Sequence, residues 1–513
     1  MARAVSVADG LTIDHAPGPR RGTSASPAGR MGRFAPLGLL LLAGCSFAPP
    51  YVQPPLPVPD SFSTTSASDG SIARIGWRDF FRDPELQGLI GEALVHNRDI
   101  RIAAGRVEEA RANYRIQGSA LYPQVDAVAA GNRGRTPAGL SLIGRPVTAS
   151  QYQALLSAGW EIDFWGRLRN LKEAAVQQFL STEESRRAVA TSLIAQVATG
   201  YLLEREYEER IALARDTVTT RDKSLWIMRR RYEVGSGSKL EMTQAQLLLA
   251  QAKTALEALI QDQAVNRNAL ALLVGHPVEF RPGPLRLAET DSNRELPAGL
   301  PSDLLINRPD IVAAEHRLRA ANANIGAARA AFFPNINLTG TFGTASNELD
   351  GLFGDGSLSW NFSPTITLPI FNAGRNAASL DAAEARRNVA VAEYEQVIQQ
   401  AFRDVSDALV QRRQLIAQIA STRDMVAALR ERARLAQLRF DNGRSAYLEV
   451  LDAQRDLFDT QQSLIQLRRG YYASGVALYA ALGGGFADDA TFAPPSPAPS
   501  PSPSPSVEED QPR

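Results

Sequence analysis

Gln151-Tyr152-Gln153-Ala154-Leu155-Leu156-Ser157-Ala158-Gly159-Trp160-Glu161-Ile162-Asp163-Phe164 alternates with a period of two. Successive strand side chains point to opposite faces. Tyr152, Ala154, Leu156, Ala158, Trp160, Ile162 and Phe164 therefore share one face, and Gln151, Gln153, Ser157, Gly159, Glu161 and Asp163 the other. Working outward, residues 334–345 set Pro334, Ile336, Leu338, Gly340 and Phe342 against Asn335, Asn337, Thr339 and Thr341. Residues 358–371 set Leu358, Trp360, Phe362, Ile366 and Leu368 against Ser359, Asn361, Ser363, Thr365 and Thr367. A weaker segment, 123–133, carries Val125, Ala127 and Ala129. Such repeats fit membrane-barrel strands with lipid outside and water inside. Trp160, Phe164, Trp165, Trp360 and Phe371 suit interfacial girdles. Alternation alone also fits a half-buried sheet in a soluble sandwich.

The chain repeats itself with an offset of about 210 residues, the spacing of a duplicated supersecondary unit. Ala120-Leu121-Tyr122-Pro123-Gln124-Val125 is answered by Ala331-Phe332-Phe333-Pro334-Asn335-Ile336, and Gly166-Arg167 by Gly374-Arg375. Each copy runs helix, two short strands, two long helices. Four strands would leave two open edges in hydrocarbon, where unpaired backbone groups cost several kcal/mol each. Barrels need about eight strands or more, so two copies would give about 8 and three about 12. A lone copy cannot close.

No proline occurs over about 168–232 or 376–442, and some 65 helical residues reach about 100 Å. The second stretch sustains a heptad: Ile398, Ala401, Val405, Ala408, Arg412, Leu415, Ile419, Thr422, Val426, Leu429, Ala433, Ala436, Phe440. A repeat kept this long implies supercoiled helices. An antiparallel coiled-coil hairpin is the plainer alternative. Residues 84–119 also read as one helix.

Other function classes find little support. Lys+Arg and Asp+Glu are both 55, leaving no net charge to attract nucleic acid. The single cysteine permits no intrachain disulfide or cysteine metal cluster. The four histidines are scattered, no phosphate loop or nucleophile elbow is present, and no catalytic residue, cofactor or metal is assigned. No run of 18 apolar residues exists, so any membrane crossing must use a closed barrel.

Residues 31–44 read as a short secretory signal, ending Leu42-Ala43-Gly44-Cys45. That tetrapeptide matches a lipobox, with cleavage between Gly44 and Cys45 and Cys45 carrying diacylglycerol and palmitate. The expected division is 1–44 upstream segment and signal, 45–70 lipidated extended tether, and 71–281 first repeat. Then follow 282–306 connector, 307–486 second repeat, and 487–513 Pro/Ser-rich disordered tail.

Two reversals join the long helices. Val234-Gly235-Ser236-Gly237 precedes Ser238-Lys239-Leu240-Glu241, a capping box. Asp441-Asn442-Gly443-Arg444-Ser445 holds the matching place, where Gly443 can take φ > 0, but Ala446 replaces the capping serine.

These features together resemble the outer-membrane factor family, the TolC-like channels, and specifically the lipoprotein branch serving resistance–nodulation–division efflux systems. The resemblance rests on Asn307-Arg308-Pro309-Asp310-Ile311, Tyr447-Leu448-Glu449-Val450-Leu451-Asp452-Ala453-Gln454-Arg455 and Leu478-Tyr479-Ala480-Ala481-Leu482-Gly483-Gly484, with the lipobox and the duplication. It implies a mainly α fold with a transmembrane β part: a homotrimeric 12-stranded barrel, four strands per chain, continuous with a periplasmic α-barrel. It implies a passive exit duct partnered by a periplasmic adaptor and an inner-membrane pump. Val234, Gly235, Ser236, Asp441, Asn442, Gly443, Arg444 and Ser445 would be the adaptor-docking tips. Relatives often close the tip with aspartate rings; here Arg432, Arg434 and Gln437 lead to Asp441 as the candidate aperture. Arginines facing the lumen would alter or reverse cation preference, whereas arginines on the outer surface would pair with Glu431. A protein-secretion duct and a lipid-anchored periplasmic coiled-coil scaffold are the competing readings.

Overall fold

The computed structural model describes residues 46–59, 62, 75–280 and 304–484. Gly44, Cys45, the signal, most of the 282–306 connector and the tail lie outside the described residues. The elements are α1 (Trp77–Phe80), α2 (Pro84–His96), α3 (Arg98–Ser119), β1 (Gln124–Thr136), β2 (Val147–Ile162), α4 (Arg167–Glu233) and α5 (Lys239–Val274). They continue with α6 (Leu304–Asn307), α7 (Pro309–Ala330), β3 (Asn335–Ser346), β4 (Leu358–Thr367), α8 (Arg375–Asp441) and α9 (Tyr447–Ala481). The duplication is plain in these lengths: α4 and α8 are 67 residues each, α5 and α9 36 and 35.

The four strands form one antiparallel sheet in the order β1-β2-β3-β4. Register aligns their faces. Tyr152, Leu156 and Trp160 lie opposite Ser346, Phe342 and Leu338, and Phe342 and Leu338 opposite Trp360 and Pro364. Val125 and Ala127 lie opposite Ala158 and Leu156. Directly paired residues share a face, so one slip would scatter the apolar set. Two strand ends differ from the sequence reading. Asp163 leaves β2 to cap α4, its carboxylate accepting from the backbone N–H groups of Leu168 and Arg169 at 3.0 and 2.8 Å. β4 stops at Thr367, just before Pro369, which has no N–H for a ladder. The repeated Gly-Arg pair marks each strand-to-helix corner: Gly166 and Gly374 adopt φ 76° and 81°, a left-handed conformation that side chains resist.

The heptad stripe becomes the helical seam. Ile398, Ala401, Val405, Ala408, Leu415, Ile419, Val426, Ala436 and Phe440 of α8 are all buried; the first four pack with α7 and α9, and Leu415 and Ile419 with Tyr471 of α9. Between α4 and α5 of the first repeat, charges replace apolar side chains. Glu204 is 0% exposed, yet receives Arg267 Nε and Nη2 at 2.9 and 2.7 Å and Gln263 Nε2 at 2.8 Å. A buried carboxylate persists only with such partners.

The expected single helix over 84–119 is two helices. Asn97 breaks it by accepting from Asp99 N and Ile100 N as the cap of α3, while its amide donates to Leu273 O at 2.8 Å. The 45–70 tether also differs from expectation over 46–58, which is extended but clamped to the body. Ser46 donates to Asn170, Asn322 donates to Pro49 O, Tyr51 donates to Glu315, and Gln53 donates to Tyr394. Phe47 stacks on Phe333 with centroids 4.5 Å apart, and Trp165 covers Phe333 at 4.9 Å. Trp165 Nε1 donates to Pro334 O, so this ring serves the corner rather than standing free in a girdle. Gly326 makes the clamp possible: a Cβ there would lie 2.8 Å from Ala48 Cα. Burial, then Glu315, pushes the Tyr51 hydroxyl up to about 12.

Candidate functional site

The functional surface has two parts, the two-faced sheet and the paired helix tips. On the sheet, the apolar face is exposed in the chain: Leu156 is 53%, Phe342 59%, Trp360 71% and Phe362 64% accessible. From Tyr152 to Ile162, ten steps of about 3.4 Å on a strand tilted by about 40° span roughly 25 Å, the height of a membrane apolar band. The opposite face carries Gln151, Gln153, Asn337, Thr339, Thr341, Asn361 and Thr365 at directly paired or adjacent positions. Two unpaired edges, β1 and β4, remain.

The tips are built alike. Gly235 N donates to Tyr232 O and Ser236 N to Arg231 O; Gly443 N donates to Phe440 O and Arg444 N to Arg439 O. This double bond set is a Schellman stop, with Gly235 at φ 78° and Gly443 at φ 69°. Ser238 and Glu241 complete the capping box on α5, whereas Ala446 gives α9 no side-chain cap and Glu449 instead meets Arg439 at 3.5 Å. Val234, Gly235, Ser236, Asp441, Asn442, Gly443 and Arg444 are exposed, and Ser445 is half-buried. Beneath them Leu225, Met228, Leu249, Phe440, Tyr447, Val450 and Leu451 form one apolar cluster joining both hairpins. Burial raises the Tyr447 hydroxyl above its ordinary range.

The candidate aperture residues do not form a bare cationic patch. Arg434 holds Glu431 through Nε and Nη2 at 2.9 and 2.8 Å, and Arg432 reaches Asp456 of α9 at 2.7 Å. Those guanidinium hydrogen bonds hold both carboxyls below their usual values. Gln437 donates to Asp441 at 2.8 Å. Arg434 thus takes the partner named for it if it lies outside the lumen.

A joint missed in the sequence ties the start of the second repeat to its own end. Arg308 Nε binds Asp310 at 2.9 Å, Nη2 binds Asp404 at 3.0 Å, and Nη1 donates to Ala481 O at 3.1 Å. Gly483, at φ 103°, lies so close that a Cβ would stand 2.2 Å from Asn307 O. The Asn307-Arg308-Pro309-Asp310 and Leu482-Gly483-Gly484 motifs are two halves of one contact. The first repeat has its own version: Gly275, at φ 93°, packs on His96 O beside Asn97. The echo of Asn97-Arg98-Asp99-Ile100 in Asn307-Arg308-Pro309-Asp310-Ile311 was the available signal.

Among the described residues no helix is long and apolar enough to cross a membrane, and no cluster of His, Cys, Asp or Glu is placed to hold a metal. A sheet with one apolar and one polar face, continuous with helices of about 100 Å, can line a conduit.

Comparison with known proteins agrees with this geometry. The family model described as outer membrane efflux protein matches residues 89–276 and 300–484. The solvent efflux pump outer membrane protein SrpC of Pseudomonas putida is 44% identical over 459 residues, covering 88% of this chain and 97% of that protein. The cation efflux system protein CusC of Escherichia coli O6:H1 is 41% identical over 452 residues, covering 87% and 97%. A crystal structure of CusC superposes with TM-score 0.78 at 40% identity, covering 86% of this chain and all (100%) of that one. The open state of the Neisseria gonorrhoeae MtrE outer membrane channel gives 0.76 at 38% identity, covering 86% and 98%. This chain belongs to the outer membrane efflux protein family and is an outer-membrane channel component of an efflux pump.

Proposed function

We propose that three copies close a 12-stranded barrel whose helices continue as a periplasmic duct, giving small molecules a passive, water-filled exit. The observation that carries this reading is the sheet itself: four strands, two unpaired edges and an exposed apolar face on one chain. Lipid forbids such edges, so sister chains must supply the missing ladders. The exposed turns at Val234–Ser236 and Asp441–Ser445 take a periplasmic adaptor, and an inner-membrane pump supplies the energy. Arg432, Gln437 and Asp441 line the narrow end, with Asp456 cancelling the Arg432 charge, while Arg434 stays outside the lumen with Glu431.

Cys45 carries the lipid, which the clamped 46–58 segment holds near the strand-to-helix corner. The relatives named above export solvents and cations; the substrate here is of the small-molecule class, selected by the pump. Deleting the gene should sensitise cells to pump substrates, and the purified protein should conduct ions across a planar bilayer. Intact resistance together with a silent bilayer would refute the duct. Cys45→Ala should lose labelled palmitate while the channel still folds; label retained in that variant would remove the lipid assignment.

A further inference from the structure

The geometry points to a binding site for the phosphate of an outer-leaflet glycolipid, formed by Arg133 and Arg135 on the outward face of β1. The strand register places them. Val125, Ala127, Ala129 and Gly131 share the apolar face through their pairing with Ala158, Leu156, Ala154 and Tyr152. Arg133 and Arg135 continue the same odd-numbered series, opposite Ser150 and Thr148. They therefore project from the face that meets lipid, not into the lumen.

Depth is set by Tyr152, whose ring covers Gly131: a Cβ on Gly131 would lie 3.0 Å from Tyr152 Cδ1. The apolar band ends at this tyrosine. Arg133 and Arg135 stand about 7 and 14 Å further along the strand, which a tilt of about 40° makes roughly 5 and 10 Å beyond the hydrocarbon. That is headgroup depth. They lie at the hairpin end of the sheet, remote from the long helices, hence on the outer leaflet side.

Chemistry favours an anion. Both arginines are exposed, and among the described residues neither makes an ion pair, unlike Arg432 and Arg434 at the tip. No position of the four strands on this face holds an Asp or Glu, since Asp126 and Glu161 belong to the other face. Guanidinium groups match phosphate with paired N–H donors, and Ser150 and Thr148 add hydroxyls beside them. Continuity with the apolar band selects a phosphate attached to acyl chains over a free anion.

The test uses the full-length protein purified in mild detergent, with diphosphoryl lipid A, its dephosphorylated form and inorganic phosphate as probes read by native mass spectrometry. Wild type should retain the diphosphoryl lipid and not the dephosphorylated one. Arg133→Gln with Arg135→Gln should weaken retention roughly tenfold or more, the loss of one to two charge-assisted contacts, at unchanged conductance. Arg133→Lys with Arg135→Lys should fall between wild type and the Gln variant, since lysine keeps the charge and loses the paired donors. Equal retention of both lipids by wild type, equal retention by the Gln variant, or displacement by millimolar inorganic phosphate alone would each overturn the site. The lipid comparison on wild type decides even if the Gln variant assembles poorly.

Discussion

The guanidinium of Arg231, near the end of α4, lies 4.9 Å from the ring centroid of Phe440, near the end of α8. One tip is thereby fixed to the other, although the two turns are far apart in sequence. A cation over an aromatic ring contributes about 0.5–1 kcal/mol where the cation still meets solvent, as half-buried Arg231 does over the buried Phe440 ring. Arg231→Ala should therefore speed amide exchange at 234–238 and at 441–445, with mid-wall amides unchanged. Exchange quickened at only one of the two turns would show that they move independently.

Gly443 takes φ 69° with nothing within 4 Å of where a Cβ would stand, so its constraint is backbone conformation rather than crowding. Valine there costs about 1–2 kcal/mol or more in the left-handed region, whereas asparagine tolerates it better. Gly443→Val should weaken capture of the adaptor and lower drug resistance, and Gly443→Asn should retain most of both. Unchanged resistance in the Val variant would count against docking at this tip.

Phe47 is two residues beyond Cys45 and is held mainly by its stack on Phe333. Truncating this half-buried ring should cost about 1–2 kcal/mol locally, less than a fully buried one. Phe47→Ala should expose 46–58 to limited proteolysis while leaving the helical wall resistant. Equal cleavage of wild type and variant would mean that the hydrogen bonds of Ser46, Tyr51 and Gln53 suffice alone.

The heptad stripe and strand alternation were legible because each is a local pattern with one period. Phe440 and Leu156 announce their faces by spacing alone. What was not legible depended on partners remote in sequence. Asn97 breaks a helix because Leu273 O lies beside it, and composition made 46–58 look like free tether until Asn322 and Tyr394 supplied its bonds. Arg432 likewise finds Asp456 on the returning helix, which no reading of the approach to the turn could show.

His316 of α7 faces Gln177 of α4, Nδ1 to Oε1 at 2.6 Å. Burial first, then Arg319, lowers its pKa from 6.5. A base depressed in the folded state adds stability above the unfolded value that is lost as pH falls through the folded one. The melting temperature should therefore drop on acidification below pH 6.5, the ordinary value. His316→Gln should flatten that part of the profile, and an identical acid slope in the variant would assign the effect to other groups.

The number of chains in one detergent-solubilised particle, weighed by native mass spectrometry, bears most directly on the closed barrel. Three chains, in a species that conducts once added to a bilayer, is the predicted outcome. A single chain that stays in the aqueous phase without detergent would contradict it.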